Sequence, residues 1–193
     1  MSAQFRVSKG KILDSQPGRR IVVVGSSGSG KTTLAETIAR KLEIPHVELD
    51  ALHWQANWQE TELDIFRHRV ELALEGQEWV LDGNYAKVRD ITWGRADTLL
   101  WLELPLPVVL WRLTRRTVQR AVTQEELWNG NRENWHEALF SHDSLFLHML
   151  RTRKSHRRDY TQLVKEPEYS HLKVIHLRSL AQVNDWIAHL SRD

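Results

Sequence analysis

The feature that most constrains the fold is an apolar run that ends in a glycine-rich turn. Residues 21–24 read Ile-Val-Val-Val, and the pattern Gly-x-x-x-x-Gly-Lys-Thr follows directly at residues 25–32. An unbroken run of β-branched apolar residues is typical of a strand buried on both faces of a parallel sheet. Leu34, Ile38 and Leu42 then recur at helical spacing. The sequence therefore predicts a strand, a tight turn and a helix.

This turn matches the P-loop pattern, which binds nucleotide phosphates. Its glycines let backbone N–H groups face the phosphates, and the following helix directs its positive end at the same anion. Lys31 adds a charge for the β- and γ-phosphates, and Thr32 offers a hydroxyl to Mg²⁺. We expect the Thr33 side chain to pack or to form hydrogen bonds locally. The residues assigned to ATP binding are Gly25, Ser26, Ser27, Gly28, Ser29, Gly30, Lys31, Thr32 and Thr33.

Strand and helix patterns alternate along the rest of the chain, which predicts an α/β fold with a five-stranded parallel sheet covered by helices. The strands are predicted at 21–24, 46–49, 79–81, 98–102 and 173–177. Helical patterns occupy 34–42, 63–74, 107–120 and 180–190. We expect an N-terminal extension over residues 1–19 and a single domain over 20–193.

Composition limits the function. The 193 residues include no cysteine, which excludes a disulfide framework, a thiolate metal site and a cysteine nucleophile. Lys plus Arg number 27 against 25 Asp plus Glu, a balance that does not favour a protein whose main role is coating nucleic acid. No signal peptide or membrane-spanning run is recognised, so we expect a cytoplasmic protein without a membrane partner.

Two aspartates follow predicted strands. Asp50 comes after the second strand and Asp82 after the third. In an open parallel sheet these strand ends line the same crevice as the phosphate loop. Asp82 suits a residue that holds Mg²⁺ together with Thr32, and Asp50 suits a ligand or base for the hydroxyl of an acceptor. The alternative for each is an ordinary turn or helix-cap aspartate.

Positive charge gathers later in the chain. Arg112, Arg116 and Arg120 are spaced by four residues and share a helix face, and a second basic cluster occupies residues 151–158. The region 112–160 could form a helical lid over the phosphates, or two solvated helix faces. The candidate catalytic residues are Lys31, Asp50, Asp82, Arg112 and Arg116.

The aromatic residues fall into two groups. Trp79, Trp101, Trp111 and Trp186 lie within strand or helix patterns and are predicted to be core. Trp54 and Trp58 follow Asp50, where they could stack on a flat substrate or anchor the loop, and anchoring is favoured. Tyr85 follows Asp82 closely enough to contact an acceptor. The ten histidines, including His136 and His142, have no metal-ligand spacing, and no zinc site is assigned.

Several motifs occur in a specific order over about residues 20–180. They are the P-loop, Leu-Asp-Ala-Leu-His-Trp at 49–54, Trp58, Trp-Val-Leu-Asp-Gly-Asn-Tyr at 79–85, Arg-Ala-Asp at 95–97, Leu-Glu-Leu-Pro at 102–105 and Leu-Trp-Asn-Gly-Asn-Arg-Glu at 127–133. The chain thereby resembles the small bacterial P-loop proteins related to adenylate kinase, often labelled topology-modulation or FlaR-like proteins.

The resemblance implies a nucleoside-monophosphate-kinase-like fold in which the P-loop strand is central, between the third and fourth strands. It implies ATP with Mg²⁺, Asp82 on the metal side, Asp50 facing the acceptor, and Arg112 and Arg116 where such kinases keep lid arginines. Adenylate kinases follow the third-strand aspartate with Gly-Phe-Pro-Arg, but residues 83–85 here are Gly-Asn-Tyr. Arg89 or Arg95 could replace the missing arginine.

Three functions are compatible with these residues. The favoured one is a kinase that transfers the γ-phosphate of ATP to a nucleotide or another hydroxyl metabolite. The second is an ATP-dependent nucleic-acid-associated protein or a polynucleotide kinase, which the arginine clusters favour and the near-neutral charge opposes. An ATPase with water as acceptor comes last. The oligomeric state stays open.

Overall fold

A five-stranded parallel sheet forms the centre of the chain. The structure is a computed structural model and describes residues 16–123, 126–131 and 158–191. The strands are β1 (Arg20–Gly25), β2 (His46–Glu48), β3 (Trp79–Asp82), β4 (Thr98–Leu102) and β5 (Lys173–Leu177). Their order across the sheet is β2-β3-β1-β4-β5, and all neighbours pair in parallel. The predicted α/β fold is confirmed, with β1 between β3 and β4.

Strand β1 is buried on both faces because a separate hydrophobic core covers each of them. Val22 and Val24 belong to one core, and Ile21 and Val23 to the other. This alternation follows from the opposite directions of successive side chains along a strand. The apolar run therefore fixes β1 at the centre, and the phosphate loop leaves the sheet from its middle strand.

The helices agree with the predicted pattern in four places and add two short ones. They are α1 (Lys31–Leu42), α2 (Leu49–His53), α3 (Leu63–Ala73), α4 (Arg89–Arg95), α5 (Leu106–Thr123) and α6 (Leu180–His189). Short 3₁₀ helices occupy Ala56–Trp58, Ala86–Val88, Trp128–Gly130 and Pro167–Tyr169. Helices α2 and α4 were not predicted, since five and seven residues are too few to display a 3.6-residue period.

One of the four tryptophans predicted to lie in the core is exposed instead. Trp79, Trp101 and Trp186 are buried, but Trp111 is 69% exposed. Helix α5 buries Val109 and Leu113, which lie one turn apart, and Trp111 lies between them on the opposite side. Helical spacing identified the helix correctly but not which of its apolar residues face the core.

The last residues of the predicted N-terminal extension lie against the sheet. The Gly18 N–H donates to Thr98 Oγ1 at 2.8 Å, and the Trp79 N–H donates to the Arg19 carbonyl at 2.8 Å. Residues 1–15, the basic residues Arg151, Arg153, Lys154 and Arg157, and the histidines 136 and 142 lie outside the described residues. Within the described part of the chain, no helix is both long and apolar enough to cross a membrane.

Candidate active site

The phosphate loop depends on glycine because α5 packs directly against it. Gly28 and Gly30 have φ angles of 76° and 91°, a region that other residues rarely adopt. A Cβ atom at Gly28 would lie 2.9 Å from the Val109 carbonyl oxygen, and one at Gly30 would lie 2.7 Å from Arg112 Nη1. The loop thus needs glycine as its sequence predicts, although the packing of α5 against it was not predicted, and it opens into the amino end of α1.

Lys31 lies at the centre of the candidate residues. Its Nζ donates to the Ser26 carbonyl at 3.4 Å, so the side chain folds back over the loop. Burial lowers the pKa of Lys31, the carboxylates of Asp82 and Asp50 oppose this shift, and the charge of Arg116 adds to it. Four of the five predicted catalytic residues are therefore close enough to interact electrostatically.

Thr32 and Asp82 meet as the sequence predicted. The Thr32 hydroxyl donates to Asp82 Oδ2 at 2.7 Å, and His46 Nε2 lies 2.8 Å from Asp82 Oδ1. Asp82 is the last residue of β3 and is 5% exposed. Burial lowers the pKa of His46, but the hydrogen bond and charge of Asp82 outweigh this effect and raise it. Sequence reasoning missed the contribution of His46, the first residue of the neighbouring strand β2.

Asp50 lies in the first turn of α2, not in a loop after β2. The Tyr85 hydroxyl donates to Asp50 Oδ1 at 2.6 Å. Burial raises the pKa of Tyr85, and the negative charge of Asp50 raises it further, so the phenol stays protonated and acts as the donor. Among the described residues, no side chain donates to the other carboxylate oxygen, Oδ2.

The two candidate lid arginines lie on α5 beside the loop. Arg112 Nη1 donates to the Ser29 carbonyl at 3.1 Å, and Arg116 is half-buried with its charge close to Lys31. Helix α5 continues through Thr123, so the first part of the predicted lid region is one continuous helix, which packs on the loop through Val109, Arg112 and Leu113. Residues 132–157 of that region lie outside the described residues. Closure of a lid stays a prediction.

Asn84 links the phosphate loop to the residues after β3, and it was not predicted as a site residue. Its Nδ2 donates to the Gly25 carbonyl at 2.5 Å, and the Gly25 N–H donates to its Oδ1 at 3.3 Å. The side chain therefore pairs with the end of β1 as another strand would. Asn84 connects the two sides of the crevice.

Aromatic side chains pack around α2, on the side of the crevice where the sequence predicts the acceptor. His53 is 4% exposed, and its ring centroid lies 4.5 Å from that of Tyr85 and 4.8 Å from that of Phe66. Trp54 and Trp58 contact each other edge to face, with ring centroids 5.6 Å apart. These contacts support the predicted anchoring role of the two tryptophans.

A short segment from after α5 is fastened onto this loop. We call residues 127–131 the latch. The Trp58 N–H donates to Asn131 Oδ1 at 2.8 Å, Asn131 Nδ2 donates to the Gln55 carbonyl at 2.8 Å, and Asn129 Nδ2 donates to the Trp54 carbonyl at 2.5 Å. The latch therefore covers the loop that follows Asp50. The sequence motif was recognised, but its contact partner was not.

Trp128 of the latch also reaches the sheet. Its Nε1 donates to Glu48 Oε2 at 2.8 Å. Burial raises the pKa of Glu48, and the hydrogen bond from Trp128 partly offsets this shift. Glu36, His46 and Glu48 bring one potential ligand atom each within 4.8 Å of one another. Two members of this group already have other partners, since His46 contacts Asp82 and Glu48 accepts from Trp128.

A pocket opens beside Tyr85. Its lining includes Asn84, Tyr85, Arg89, Trp93 and Tyr160. The two arginines proposed to replace the missing adenylate-kinase arginine are separated by the structure, because Arg89 lines this pocket whereas Arg95 Nη1 donates to the Glu71 carbonyl at 2.8 Å. Only Arg89 is close to the predicted acceptor residues.

The fold and this crevice define a P-loop ATP-binding domain of the kinase-like class. The model of the ABC transporter family matches residues 9–142, which is more than half of the chain, and the chain belongs to this family. The matched range contains the phosphate loop, Asp50, Asp82 and strands β1–β4. No curated protein matches the sequence.

Solved kinase structures share the fold at low sequence identity. A gluconokinase from Sinorhizobium meliloti 1021 is 20% identical, with a TM-score of 0.51 over 91% of this chain and 93% of that one. A shikimate kinase from Bacteroides thetaiotaomicron is 16% identical, with a TM-score of 0.52 over 88% and 94%. A shikimate kinase from Aquifex aeolicus vf5 is 14% identical, with a TM-score of 0.50 over 88% and 91%. These likenesses concern the fold alone.

Proposed function

We propose that the protein is a kinase that transfers the γ-phosphate of ATP, with Mg²⁺, to a hydroxyl group of a small acceptor. The observation that supports this most is the position of Asp50 relative to the phosphate loop. Its charge acts on Lys31, while the Tyr85 hydroxyl holds one carboxylate oxygen and leaves the other open. In phosphoryl transfer to a hydroxyl, the hydroxyl loses a proton, and a carboxylate in this position can accept it.

The donor side of the proposed site uses charge and backbone donors. Phosphoryl transfer depends mainly on positioning and on stabilising the charge of the transferring group. The loop N–H groups, Lys31 and the guanidinium groups of Arg112 and Arg116 supply positive charge from the loop and from α5. Arg112 donates to the loop itself, so it also ties α5 to the phosphate side.

Thr32 and Asp82 fit a magnesium site. A hydroxyl and a carboxylate are oxygen ligands, which Mg²⁺ prefers, and these two are 2.7 Å apart at the start of the loop helix. When bound there, the ion would neutralise charge on the phosphate oxygens. His46 would hold the Asp82 carboxylate in one orientation through its contact with Oδ1.

Asp50 and Tyr85 complete the proposed reaction. A bond forms between the acceptor oxygen and the γ-phosphorus, and the bond from that phosphorus to the β–γ bridging oxygen breaks, leaving ADP. The acceptor proton passes to the open oxygen of Asp50. The Tyr85 hydroxyl fixes the other oxygen, so the carboxylate presents one face to the acceptor.

The test is transfer of label from ATP labelled at the γ-phosphate, in the presence of Mg²⁺. Pools of hydroxyl metabolites, nucleoside monophosphates, nucleosides and 5′-hydroxyl oligonucleotides serve as acceptors. We expect label in a small-molecule pool with the natural chain and none with Lys31→Ala. Binding of ATP without transfer to any pool, combined with steady release of labelled phosphate, would instead identify an ATPase, the reaction suggested by the ABC transporter family.

The closer relationship to topology-modulation proteins stays part of this proposal. The motifs at residues 49–54, 79–85 and 127–133 support it, because the structure gives residues from each of them contacts around one crevice. Label in the oligonucleotide pool, with duplex binding that falls steeply as salt rises, would support the nucleic-acid alternative.

A further inference from the structure

The pocket beside Tyr85 contains a positive charge that no described carboxylate neutralises. Arg89 is half-buried, and its guanidinium lies over the Trp93 ring, 5.4 Å from the ring centroid. The neighbouring carboxylate, Asp90, is bound by Arg67 through two hydrogen bonds of 3.0 and 2.6 Å. Among the residues described here, no carboxylate or carbonyl oxygen bonds the guanidinium, whose charge also acts on the phenol groups of Tyr160 and Tyr169.

The other arginines near α4 are engaged elsewhere. Arg67 holds Asp90, and Arg95 donates to the Glu71 carbonyl. Arg89 is the arginine that lines the pocket, and a guanidinium in a partly enclosed site binds carboxylates and phosphates through paired hydrogen bonds. The contact with the Trp93 ring is a cation–π interaction, which uses none of the N–H donors of the guanidinium.

Tyr85 joins this pocket to the proposed acceptor base. Its ring lines the pocket together with Arg89, and its hydroxyl is bonded to Asp50 Oδ1 at 2.6 Å. A molecule bound to Arg89 would therefore lie beside Tyr85, whose hydroxyl contacts Asp50.

We propose that the acceptor is a small hydroxylated anion, whose carboxylate or phosphate ester is held by Arg89 while its hydroxyl points to Asp50. This inference rests on the proposed kinase activity. The two anion sources share the same recognition chemistry, and the experiment separates them.

The experiment compares matched acceptors with the full chain, Mg²⁺ and γ-labelled ATP. One pool contains sugar acids and cyclic hydroxy acids, a second contains sugar phosphates, and a third contains the neutral alditols and sugars of the same carbon skeletons. Nucleosides and nucleoside monophosphates form two further pools. We expect kcat/KM for one of the first two pools to exceed that of the matched neutral pool by at least about tenfold, as the loss of one charge-assisted contact predicts.

Variants test the residue. Arg89→Gln should raise the acceptor KM about 10- to 100-fold, with kcat and ATP affinity little changed. Arg89→Lys should recover part of the loss because it restores the charge. Arg95→Gln is the matched control, since it removes an arginine from the same helix outside the pocket, and it should leave the acceptor KM unchanged.

The possible failures are distinguishable. No transfer to any pool by the natural chain would overturn the proposed function and this inference with it. Equal transfer to charged and neutral acceptors, or an unchanged acceptor KM in Arg89→Gln, would leave the kinase standing and overturn the inference alone. If Arg89→Gln does not fold, the preference of the natural chain and the Arg89→Lys kinetics still decide it.

Discussion

The phosphate loop is built from neighbouring residues of the chain, whereas the proposed acceptor side of the crevice is assembled from distant ones. The loop, Lys31 and Thr32 follow each other directly, and Asp82 reaches them from the strand paired with β1. The loop after Asp50 is held at Trp54 and Gln55 by hydrogen bonds from Asn129 and Asn131, about 75 residues further along the chain. Local geometry shapes the phosphate loop, whereas the segment after Asp50 is held by long-range hydrogen bonds. The two sides should therefore respond differently to substitution.

The largest effect should come from Asp50, the proposed base for the acceptor. Asp50→Asn keeps the size of the side chain but removes the carboxylate that takes the proton, and transfer should fall about 10²–10⁴-fold. ATP affinity should change much less, because Asp50 hydrogen-bonds Tyr85 and reaches the loop only through its charge on Lys31. Single-turnover transfer and equilibrium ATP binding measure the two effects. Full activity in this variant would remove Asp50 from the proposed role.

Asp82→Asn should break the phosphate side instead. The amide would place a donor opposite either the Thr32 hydroxyl or His46, both of which contact Asp82 now. We expect transfer to fall about 10²–10³-fold and the Mg²⁺ concentration for half-maximal activity to rise.

A magnesium titration of initial rates measures both changes. Asp90→Asn is the control, since this exposed carboxylate binds Arg67. An unchanged magnesium dependence in Asp82→Asn would contradict the metal-side assignment.

The latch offers a smaller effect confined to the acceptor side. Asn131 is 4% exposed and holds both the Trp58 N–H and the Gln55 carbonyl. Asn131→Ala removes both hydrogen bonds, at a cost of about 1–3 kcal/mol in the free energy of unfolding. The acceptor KM should rise while ATP affinity stays constant.

Denaturant unfolding and steady-state kinetics with each substrate varied in turn measure this prediction. Gln119→Ala, an exposed position on α5, serves as the control. Equal losses of ATP and acceptor binding in Asn131→Ala would mean that the two sides are not held separately.

The same contrast explains which features the sequence predicted. The five strands were predicted from apolar runs, and the phosphate loop from a motif whose glycines allow the backbone conformation of the turn. Asp82 could be assigned because β3 ends there, beside β1. Each of these inferences needed only a few consecutive residues and the rule that parallel strand ends share one edge.

The remaining features depend on contacts that no local pattern contains. The Asn131 bonds to the loop at 55–58 join parts of the chain that have no common period. Helix α5 has apolar residues on both faces, with Val118 and Val122 exposed as Trp111 is, so spacing alone could not identify the buried face. The division of roles between Arg89 and Arg95 also required the structure, because both flank the same short helix.

The smallest expected effect is on the pH dependence of the free energy of unfolding, and it arises from a histidine on the proposed acceptor side. His53 is buried beside Phe66 and Tyr85, and its Nδ1 has no hydrogen-bond partner among the described residues. Burial lowers the pKa of His53, and the charge of Glu60 only partly opposes this. The unfolded chain therefore takes up this proton at about pH 6.5, and the folded chain takes it up only at lower pH.

Stability linked to His53 is thus fully present above about pH 6.5 and is lost as the pH falls through the lowered pKa, by about 1.4 kcal/mol for each unit of the shift. The free energy of unfolding should fall more steeply between pH 7 and 5 in the natural chain than in His53→Phe, which keeps a ring but has no proton to gain. The exposed His68→Gln change should leave the natural slope intact. If the free energy of unfolding depends on pH equally in the natural chain and in His53→Phe, protonation of His53 does not destabilise the proposed acceptor side. That side would then depend on the latch hydrogen bonds alone, without a pH-sensitive contribution.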